Sequence, residues 1–303
     1  FFEASVGGGI PLIRTLEDGL ASDRIHALTG IVNGTTNFML TKMKEENMSY
    51  DEALQLATDL GFAEADPTAD VDRIDAARKM VILASLAFST QVRLDNVSVR
   101  GIREIKDGDV ELASRFGYTV KLAGSAKKDE DGIEVAVEPV FIPNEHPLAT
   151  VNNEFNAVYV YGDAVGETMF YGPGAGSLPT ATSVTGDIVA ACRNLLLGVN
   201  GKRPHAPQYE RKMKTDDKKF SRYFHRILVK DEVGVLTHLT SLYSENGASL
   251  ATVIQHADEE QDGTDLVLIT HEISRQQHLD IIEQLKNTDS VLDILSYYRV
   301  EGE

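Results

Sequence analysis

Hydrophobic and polar positions change their period several times along residues 1–200, and each change marks a predicted element. An apolar run over 24–32, closed by Asn33-Gly34, predicts a buried strand that ends in a turn. Ser49 with Glu52 three residues later predicts a capped helix that continues to Leu60. Further helices are predicted over 11–20, 35–46 and 71–88, and another follows the glycine-rich stretch 172–180 and ends at about residue 197. Further strands are predicted over 118–124, 133–141, 157–162 and 168–171. The pattern indicates an α/β protein whose first domain, 1–200, is an α+β core with a mixed sheet.

The region 221–303 has a pattern of its own. Strands are predicted over 224–229, 249–255, 264–271 and 291–300, and helices over 234–246 and 274–286. Their order, βαββαβ, predicts a ferredoxin-like domain. The segment 201–220 contains two prolines and many Lys and Arg residues, which predicts an interdomain linker. Its basic character fits a solvated tether or a segment that docks on the acidic body.

Composition and charge narrow the class of protein. The chain has 303 residues, 42% hydrophobic and 25% charged, as in a soluble globular protein of two domains. Its formal net charge of -18 argues against nucleic acid as a partner, because nucleic-acid binding depends on clustered Lys and Arg. The longest apolar run, 80–88, is much too short to span a membrane. The one cysteine, Cys192, suits the reducing cytoplasm and is predicted to be a buried structural thiol.

The densest group of chemically active residues lies at 64–79. Asp75 and Lys79 are four residues apart, so a helix brings them together on one face, and Asp70 is placed to cap that helix. One interpretation is an ordinary surface ion pair on a capped helix. The other is a binding site for a small zwitterion, with carboxylates for its ammonium group, a cation for its carboxylate and a proton donor beside its reacting oxygen. Spacing alone leaves both open.

Four stretches of the chain, in the expected order, resemble the homoserine dehydrogenase family. They are FEASVGGGIPLI at 2–13, GIVNGTTN at 30–37, GFAEADPTADVDRIDAARK at 61–79 and VYGDAVGETMFYGPGAGSLPTA at 160–181. The resemblance implies an NADP- or NAD-dependent oxidoreductase that interconverts aspartate 4-semialdehyde and homoserine. It also implies a place in threonine, methionine and isoleucine biosynthesis, and an assembly that is a homodimer or homotetramer.

The resemblance also implies roles for single residues. Lys79 matches the family's proton donor, which protonates the carbonyl oxygen as hydride reaches the carbon. This is chemically reasonable, because hydride addition creates an alkoxide that a neighbouring ammonium group stabilises and neutralises. The positions that bind the amino-acid substrate match Glu64, Asp75, Asp70, Gly34 and Thr35. Gly61 and Gly176 match positions where the backbone comes close to the dinucleotide.

A sodium ion is the metal that the resemblance implies. In the family, main-chain oxygens hold it at the positions that match Glu3, Val6, Gly8 and Ile10. A hard cation favours oxygen ligands, and an irregular glycine-rich loop can turn successive carbonyl groups inward. The alternative for this loop is a plain tight turn. The eight histidines are scattered, with none of the spacings typical of a transition-metal site.

The family's main nucleotide-binding motif is not found in the chain. No G-x-G-x-x-G follows a strand near the beginning, and GPGAG at 172–176 lacks that spacing. We therefore expect the family's first domain to precede Phe1, and this chain alone to reduce little aspartate semialdehyde. GPGAG and the helix after it are expected to line the cofactor site without forming its main phosphate cradle.

The second region resembles ACT domains in its order of elements and in VKDEVGVLTHLTSLYSENGASL at 229–250. Val233 stands where ACT domains often carry proline before the glycine of the first loop. Gly234 begins a helix whose free amides suit an amino-acid carboxylate, with threonine the first candidate. The alternative is that Gly234 only allows the turn and the domain only dimerises. A non-catalytic, amino-acid-binding regulator is the alternative function for the whole chain.

Overall fold

A computed structural model describes residues 1–63, 74–199, 207–257 and 263–302. They form two compact units, Phe1–Pro139 with Asn144–Met213, and Val140–Pro143 with Lys214–Glu303. Both units combine helices with β-strands, so the predicted mixed α/β class is confirmed. No helix in the described ranges is long and apolar enough to cross a membrane.

The first unit is built on a mixed sheet. Its elements are α1 (Leu12–Arg14) with a π-helical turn (Thr15–Gly19), β1 (Ile25–Ile31), α2 (Gly34–Glu45), α3 (Tyr50–Asp59), α4 (Ile74–Ala87), β2 (Ser98–Val99), α5 (Asp107–Arg115), β3 (Tyr118–Lys128), β4 (Ile133–Pro143, whose last residues count with the second unit), β5 (Phe155–Gly162), β6 (Gly166–Pro173) and α6 (Ser177–Leu196). The sheet order is β6-β5-β1-β3-β4. β1 is antiparallel to both of its neighbours, whereas β2 pairs parallel with β4.

Helices α2 and α4 lie on this sheet in fixed positions. α4 contacts β1 and β3, while α2 contacts β3 and β5. α4 comes close to β3 because Gly124 has no side chain: a Cβ there would lie 2.3 Å from the Cγ of Met80, which is fully buried. On α2, the side-chain amide of Asn37 donates to the carbonyl oxygens of Val151 and Asn153 at 3.0 and 2.8 Å. This contact ties the helix to the segment before β5.

Helix α5 and the exposure of Cys192 differ from the sequence prediction. Helix α5 is not predicted, because its start, Asp-Gly-Asp, has the composition of a turn. Its buried Val110 and Ala113 nevertheless give it an apolar face. The prediction of a buried thiol at Cys192 is wrong, since this residue is exposed on α6. An apolar helix does not imply burial here, because other apolar residues of α6, such as Ile188 and Leu195, are exposed as well.

The segment expected as a linker over 201–220 is described from residue 207 onward. The amides of Gln208 and Tyr209 both donate to the carbonyl oxygen of Ser89, at 2.7 and 3.2 Å. Met213 forms a β-bridge with Ile133. The residues up to Met213 belong to the first unit, and the boundary between the units falls directly after it. The described part of this segment is therefore packed on the first unit as far as that boundary.

The second unit has the ferredoxin-like arrangement. Its elements are β7 (Phe220–Val229), α7 (Val235–Glu245), β8 (Leu250–Ala257), β9 (Thr264–Thr270), the short β10 (Ile273–Ser274), α8 (Arg275–Lys286) and β11 (Val291–Val300). The four long strands lie in the order β11-β7-β9-β8, and all neighbours are antiparallel. The two helices pack into the core of this unit through four buried residues, Leu239, Leu242, Ile281 and Leu285. The order βαββαβ is the one that the sequence pattern indicates.

A chain of hydrogen-bonded rings lies inside this second core. His225 Nδ1 lies 2.6 Å from Tyr243 Oη, and His225 Nε2 lies 2.9 Å from His278 Nδ1. His225 and Tyr243 are fully buried, and the rings of Tyr223 and His278 stack at 4.0 Å. Burial lowers the pKa of His225 to about 3, because a protonated ring would lose its hydration. The fold therefore requires the neutral form of His225.

The second unit is expected to lose stability below neutral pH. The pKa of His225 is 6.5 in the unfolded chain and about 3 in the folded one, so between these values only the unfolded state binds the proton. The free energy of unfolding should fall as the pH drops below this upper value, by about 2 kcal/mol at pH ~5. Denaturant unfolding at neutral and acidic pH, followed by NMR signals of the second unit, measures this loss.

Two histidine variants give the control. His225→Gln keeps hydrogen-bonding atoms without a titrating ring and should flatten the pH dependence. His238→Gln, at an exposed position on α7, should leave it unchanged. An equal acid loss in His225→Gln and the parent chain would contradict the assignment to His225.

Candidate active site

Lys79 and Asp75 lie together on α4, beside the end of β1. Lys79 Nζ donates to Asp75 Oδ2 at 2.7 Å and to the carbonyl oxygen of Val32 at 2.9 Å. The Lys79 and Asp75 side chains are 21% and 34% exposed, so a small molecule can reach the pair from solvent. An ammonium group has three N–H bonds. In the described part of the chain two of them are used, which leaves the third for a bound molecule.

The turn from β1 into α2 supports the pair. Asn33 caps α2, since its Oδ1 accepts the amide N–H of Thr36 at 2.9 Å and the Thr36 hydroxyl at 2.8 Å. The other end of the same side chain donates from Nδ2 to Asp75 Oδ2 at 3.1 Å. One carboxylate oxygen thus accepts from both a lysine and an asparagine, and Asn33 joins the cap of one helix to the charge pair of another.

Gly34 and Thr35 lie in the same turn of α2. Gly34 sits against the segment before β5, where a Cβ would lie 2.7 Å from the carbonyl oxygen of Glu154. The Thr35 hydroxyl donates to the carbonyl oxygen of Phe62 at 2.7 Å. Of the residues expected to bind substrate or to act on it, the structure brings Gly34, Thr35, Asp75 and Lys79 together around the beginning of α2.

The other expected site residues are placed as follows. Glu64 and Asp70 lie outside the described residues. Gly61 and Gly176 both have positive φ angles, 78° and 109°. Gly61 lies shortly before residue 64, where the described residues break off, and a Cβ added to it would meet no described atom within 4 Å. Gly176 directly precedes α6. Both have the backbone freedom expected where a ligand comes close to the chain.

The first glycine-rich loop packs against the second. The amide of Gly9 donates to the carbonyl oxygen of Pro173 at 3.1 Å, and the Ser183 hydroxyl donates to that of Gly8 at 2.7 Å. The Leu12 amide donates to the Ile10 oxygen at 2.8 Å. Each of these carbonyl groups has a second lone pair. The loop is therefore irregular and internally bonded, yet it keeps oxygen capacity for a cation.

Glu3 is buried beside this loop. Its carboxylate accepts the amides of Ile13 and Arg14 at 2.8 and 3.0 Å. Burial raises the pKa of the Glu3 carboxyl, although the two amides and the Arg14 guanidinium act in the opposite direction. The Glu3 side chain thus binds the backbone of α1, and the resemblance assigns the main-chain oxygen of this residue to the expected sodium site. Val6, the remaining expected ligand, is completely buried.

Sequence reasoning missed two residues that shape the site. Asn33 stands inside the quoted GIVNGTTN stretch, and its position before a helix was the available signal. Lys121 on β3 is buried and donates to Asn37 Oδ1 at 3.0 Å and to the Val151 carbonyl oxygen at 2.6 Å. Burial, and then repulsion from Lys44, lowers the pKa of Lys121 to about 7. A lone lysine in an apolar strand was the signal for this support of α2.

Two further predictions concern metals and the second unit. Within the described ranges, no group of three or more His, Cys, Asp and Glu side chains is placed to hold a metal ion. Gly234 has a φ of 95° and precedes α7, whose start is not capped by a side chain. Val233 beside it is fully exposed. The start of α7 is thus open to solvent.

The geometry around α4 and the start of α2 defines a class of site. The Asp75 carboxylate and the Lys79 ammonium group lie one turn apart on α4 and contact the buried turn that begins α2. Such a set offers charges complementary to those of a small zwitterion, together with a proton donor. These are features of an acid–base site for a small charged molecule, as found in enzymes.

Comparison with known proteins gives a consistent result. The model of the homoserine dehydrogenase family matches residues 11–189. A homoserine dehydrogenase of Bacillus subtilis is 54% identical over 303 residues, which are 100% of this chain and 70% of that protein. The crystal structure of a homoserine dehydrogenase from Thiobacillus denitrificans matches with a TM-score of 0.90 at 36% identity, over 99% of this chain and 69% of that one. A hyperthermophilic archaeal homoserine dehydrogenase in complex with NADPH matches with a TM-score of 0.55 at 31% identity, over 67% of this chain and 57% of that one.

The chain belongs to the homoserine dehydrogenase family. The prediction of an oxidoreductase with homoserine dehydrogenase activity is confirmed, and the comparisons give no support to a non-catalytic regulator. The chain spans 70% of the length of the Bacillus subtilis relative.

Gly34→Ala tests whether the start of α2 must lie against the segment before β5. The added Cβ would meet the Glu154 carbonyl oxygen at 2.7 Å, so α2 or that segment has to move. We expect a loss of about 1–3 kcal/mol in stability, together with weaker homoserine binding. Thermal unfolding and calorimetric titration with homoserine measure the two effects. Gly19→Ala, whose Cβ would have only an ordinary 3.5 Å contact, is the control. Equal behaviour of the two variants would contradict the close approach.

Proposed function

We propose that the site at Asp75 and Lys79 reduces aspartate 4-semialdehyde to homoserine, with Lys79 as the proton donor. The observation that carries the proposal is the bonding of Lys79 Nζ, which donates to Asp75 and to the Val32 carbonyl oxygen, while among the described residues no third partner takes its remaining N–H bond. A bound NADPH or NADH supplies the hydride for the carbonyl carbon. The reaction would serve threonine, methionine and isoleucine biosynthesis.

The residues of the site divide the remaining work. The spare N–H of Lys79 points a proton at the substrate carbonyl oxygen and transfers it there as negative charge develops; the lysine regains a proton from solvent. Asp75 holds the Lys79 ammonium group in place and, with Glu64 and Asp70, attracts the substrate ammonium group. Gly34 and Thr35 offer main-chain polar groups at the start of α2, where the helix dipole favours an anion such as the substrate carboxylate.

Two glycines are proposed to line the nicotinamide nucleotide. Gly61 is favoured because no described residue lies within 4 Å of where its Cβ would be, and its φ of 78° suits a residue without a side chain. Gly176 stands between a glycine-rich loop and α6, with a φ of 109°. The archaeal relative that holds NADPH supports an NADP cofactor for this chain, with NAD as the alternative.

A sodium ion is proposed at the first glycine-rich loop. The main-chain oxygens of Glu3, Val6, Gly8 and Ile10 would hold it. The loop fits the ion because those of Gly8 and Ile10 each accept one hydrogen bond and keep a second lone pair. The ion would fix the contact between the two glycine-rich loops and thereby the start of α6.

Replacement of Lys79 and Asp75 in the holoenzyme tests the proposed reaction. Lys79→Ala should lower kcat by roughly 100-fold or more, the usual loss when a positioned acid is removed. Asp75→Ala should lower kcat and raise KM for homoserine, because it removes a partner of both Lys79 and the substrate ammonium group. Steady-state kinetics in both directions measure these changes.

The matched control is another lysine pair with the same spacing. Lys42 Nζ lies 2.5 Å from Glu46 on the surface of α2, so Lys42→Ala removes an ion pair of the same kind away from the site. It should leave the kinetics unchanged. If Lys79→Ala were as active as Lys42→Ala, the pair on α4 would be an ordinary surface ion pair.

The second unit is proposed to be an ACT-type regulatory domain. Its ferredoxin-like order and the open start of α7 at Gly234 support this. An amino acid, with threonine first, would place its carboxylate on the free amides there. The same unit would contribute self-association to a homodimer or homotetramer, since an exposed sheet edge or face is commonly covered by a second copy.

Calorimetric titration of the holoenzyme with threonine, isoleucine and methionine tests the regulatory proposal. We expect heat of binding with threonine at millimolar concentration or below. Gly234→Val should abolish it, because the positive φ of 95° disfavours a branched residue and the loop has to rearrange. Heats equal to those of buffer for all three amino acids would leave the unit as an assembly domain only.

A further inference from the structure

Val32 and Asn33, the two residues that join β1 to α2, bind both members of the charge pair on α4. The carbonyl oxygen of Val32 accepts Lys79 Nζ at 2.9 Å, and the Asn33 side chain donates to Asp75 at 3.1 Å. Val32 is 1% and Asn33 5% exposed, so these two partners are buried while the pair itself reaches solvent. The orientation of the pair is therefore set from the inside of the molecule.

The two ends of the Asn33 side chain have different tasks. Its Oδ1 accepts the amide N–H and the hydroxyl of Thr36, whereas its Nδ2 donates to the Asp75 carboxylate. Since a backbone N–H only donates and a carboxylate only accepts, these partners fix which end is oxygen and which is nitrogen. A helix cap needs only the oxygen. The nitrogen is therefore an additional feature, directed at the carboxylate.

The frame around Asn33 leaves its side chain little freedom. Gly34 is pressed against the carbonyl oxygen of Glu154, and the Asn37 amide is bound to the oxygens of Val151 and Asn153. The first turn of α2 cannot shift without breaking these contacts. A donor carried on such a turn holds Asp75 in one place, and Asp75 in turn holds the Lys79 ammonium group at 2.7 Å.

We propose that Asn33 is a positioning residue of the reduction: its side-chain amide fixes the Asp75 carboxylate and, through it, the direction of the spare Lys79 N–H bond. The proposal rests on the proposed function of the Asp75 and Lys79 site. A neutral amide suits this task because it binds the carboxylate without adding a charge. A negative group in the same place would repel Asp75 and hold the proton on Lys79 more tightly, which makes the lysine a poorer donor.

Two substitutions separate the cap from the positioning contact. Asn33→Ser keeps an oxygen that caps α2, but its shorter side chain has no amide group that could donate to Asp75. Asn33→Asp keeps the cap and replaces the amide donor by an anion. In the holoenzyme, we expect Asn33→Ser to lower kcat about 10-fold with a smaller change in KM. Asn33→Asp should lower kcat further and move the alkaline limb of the rate profile to higher pH, because the added anion favours the protonated amine. The thermal midpoint of Asn33→Ser should stay near that of the parent, whereas that of Asn33→Asp should fall because its buried anion repels Asp75, so the kinetics of both are measured well below their midpoints.

Ser49→Ala is the control for the loss of a helix cap. Ser49 caps the neighbouring helix α3 through Glu52 and has no part in the site. It should lower the thermal midpoint and leave kcat and the pH profile unchanged. This pattern would show that the effects of the Asn33 variants do not come from weakened capping.

The outcomes keep the two proposals apart. If Asn33→Ser and Asn33→Asp retain parental kcat and pH profile while Lys79→Ala is inactive, the site is correct and Asn33 is only a cap, which overturns this inference. If Lys79→Ala is also fully active, the proposed proton donor is wrong and the inference fails with it. If the Asn33 variants lose activity only in proportion to a lowered thermal midpoint, as a merely structural residue would, the inference is overturned as well.

Discussion

The charged side chains of Asp75 and Lys79 are partly buried, and each has a hydrogen-bond partner on another element of the first unit. Removing a charged group from water is costly unless hydrogen bonds replace the lost hydration. The end of β1 provides them, through the Val32 carbonyl oxygen and the Asn33 amide. These contacts require α4 and the β1–α2 turn to meet at hydrogen-bonding distance. The close packing of Met80 on Gly124 in β3 sets that distance from the side of α4.

Three i,i+4 ion pairs show why spacing could not identify the site. Lys42–Glu46, Glu111–Arg115 and Asp75–Lys79 have nitrogen-to-oxygen distances of 2.5, 2.7 and 2.7 Å. Taken by itself, each of the three pairs has the geometry of an ordinary helical salt bridge. Only the third also contacts a buried turn from another element. What distinguishes the site from a surface pair is therefore its contact with an element far away in sequence. Neither the hydrophobic period nor the residue spacing predicts such a contact.

Most helices and strands could be predicted from the sequence, because each depends on local signals. The capping box at Ser49 and the turn at Asn33-Gly34 mark real boundaries of α3 and α2. The predictions failed where tertiary context decides. Helix α5 has a polar beginning that resembles a turn, and Cys192 lies on an apolar helix that remains exposed. Likewise the motif around Asn33 was visible, but the direction of its side chain follows from the position of α4, which no local pattern specifies.

The buried Lys121 explains how α2 can serve as a rigid support. A buried lysine amine is costly unless its N–H bonds find acceptors. Lys121 meets three oxygens, Asn37 Oδ1, the Val151 carbonyl and Asn152 Oδ1, at 3.0, 2.6 and 3.2 Å. Asn37 returns its own N–H bonds to the same segment. Because moving α2 would leave these buried groups unsatisfied, the helix start is held in place by groups that never meet a ligand. The exposed part of the site can then consist of few residues, because the buried contacts beneath them fix their positions.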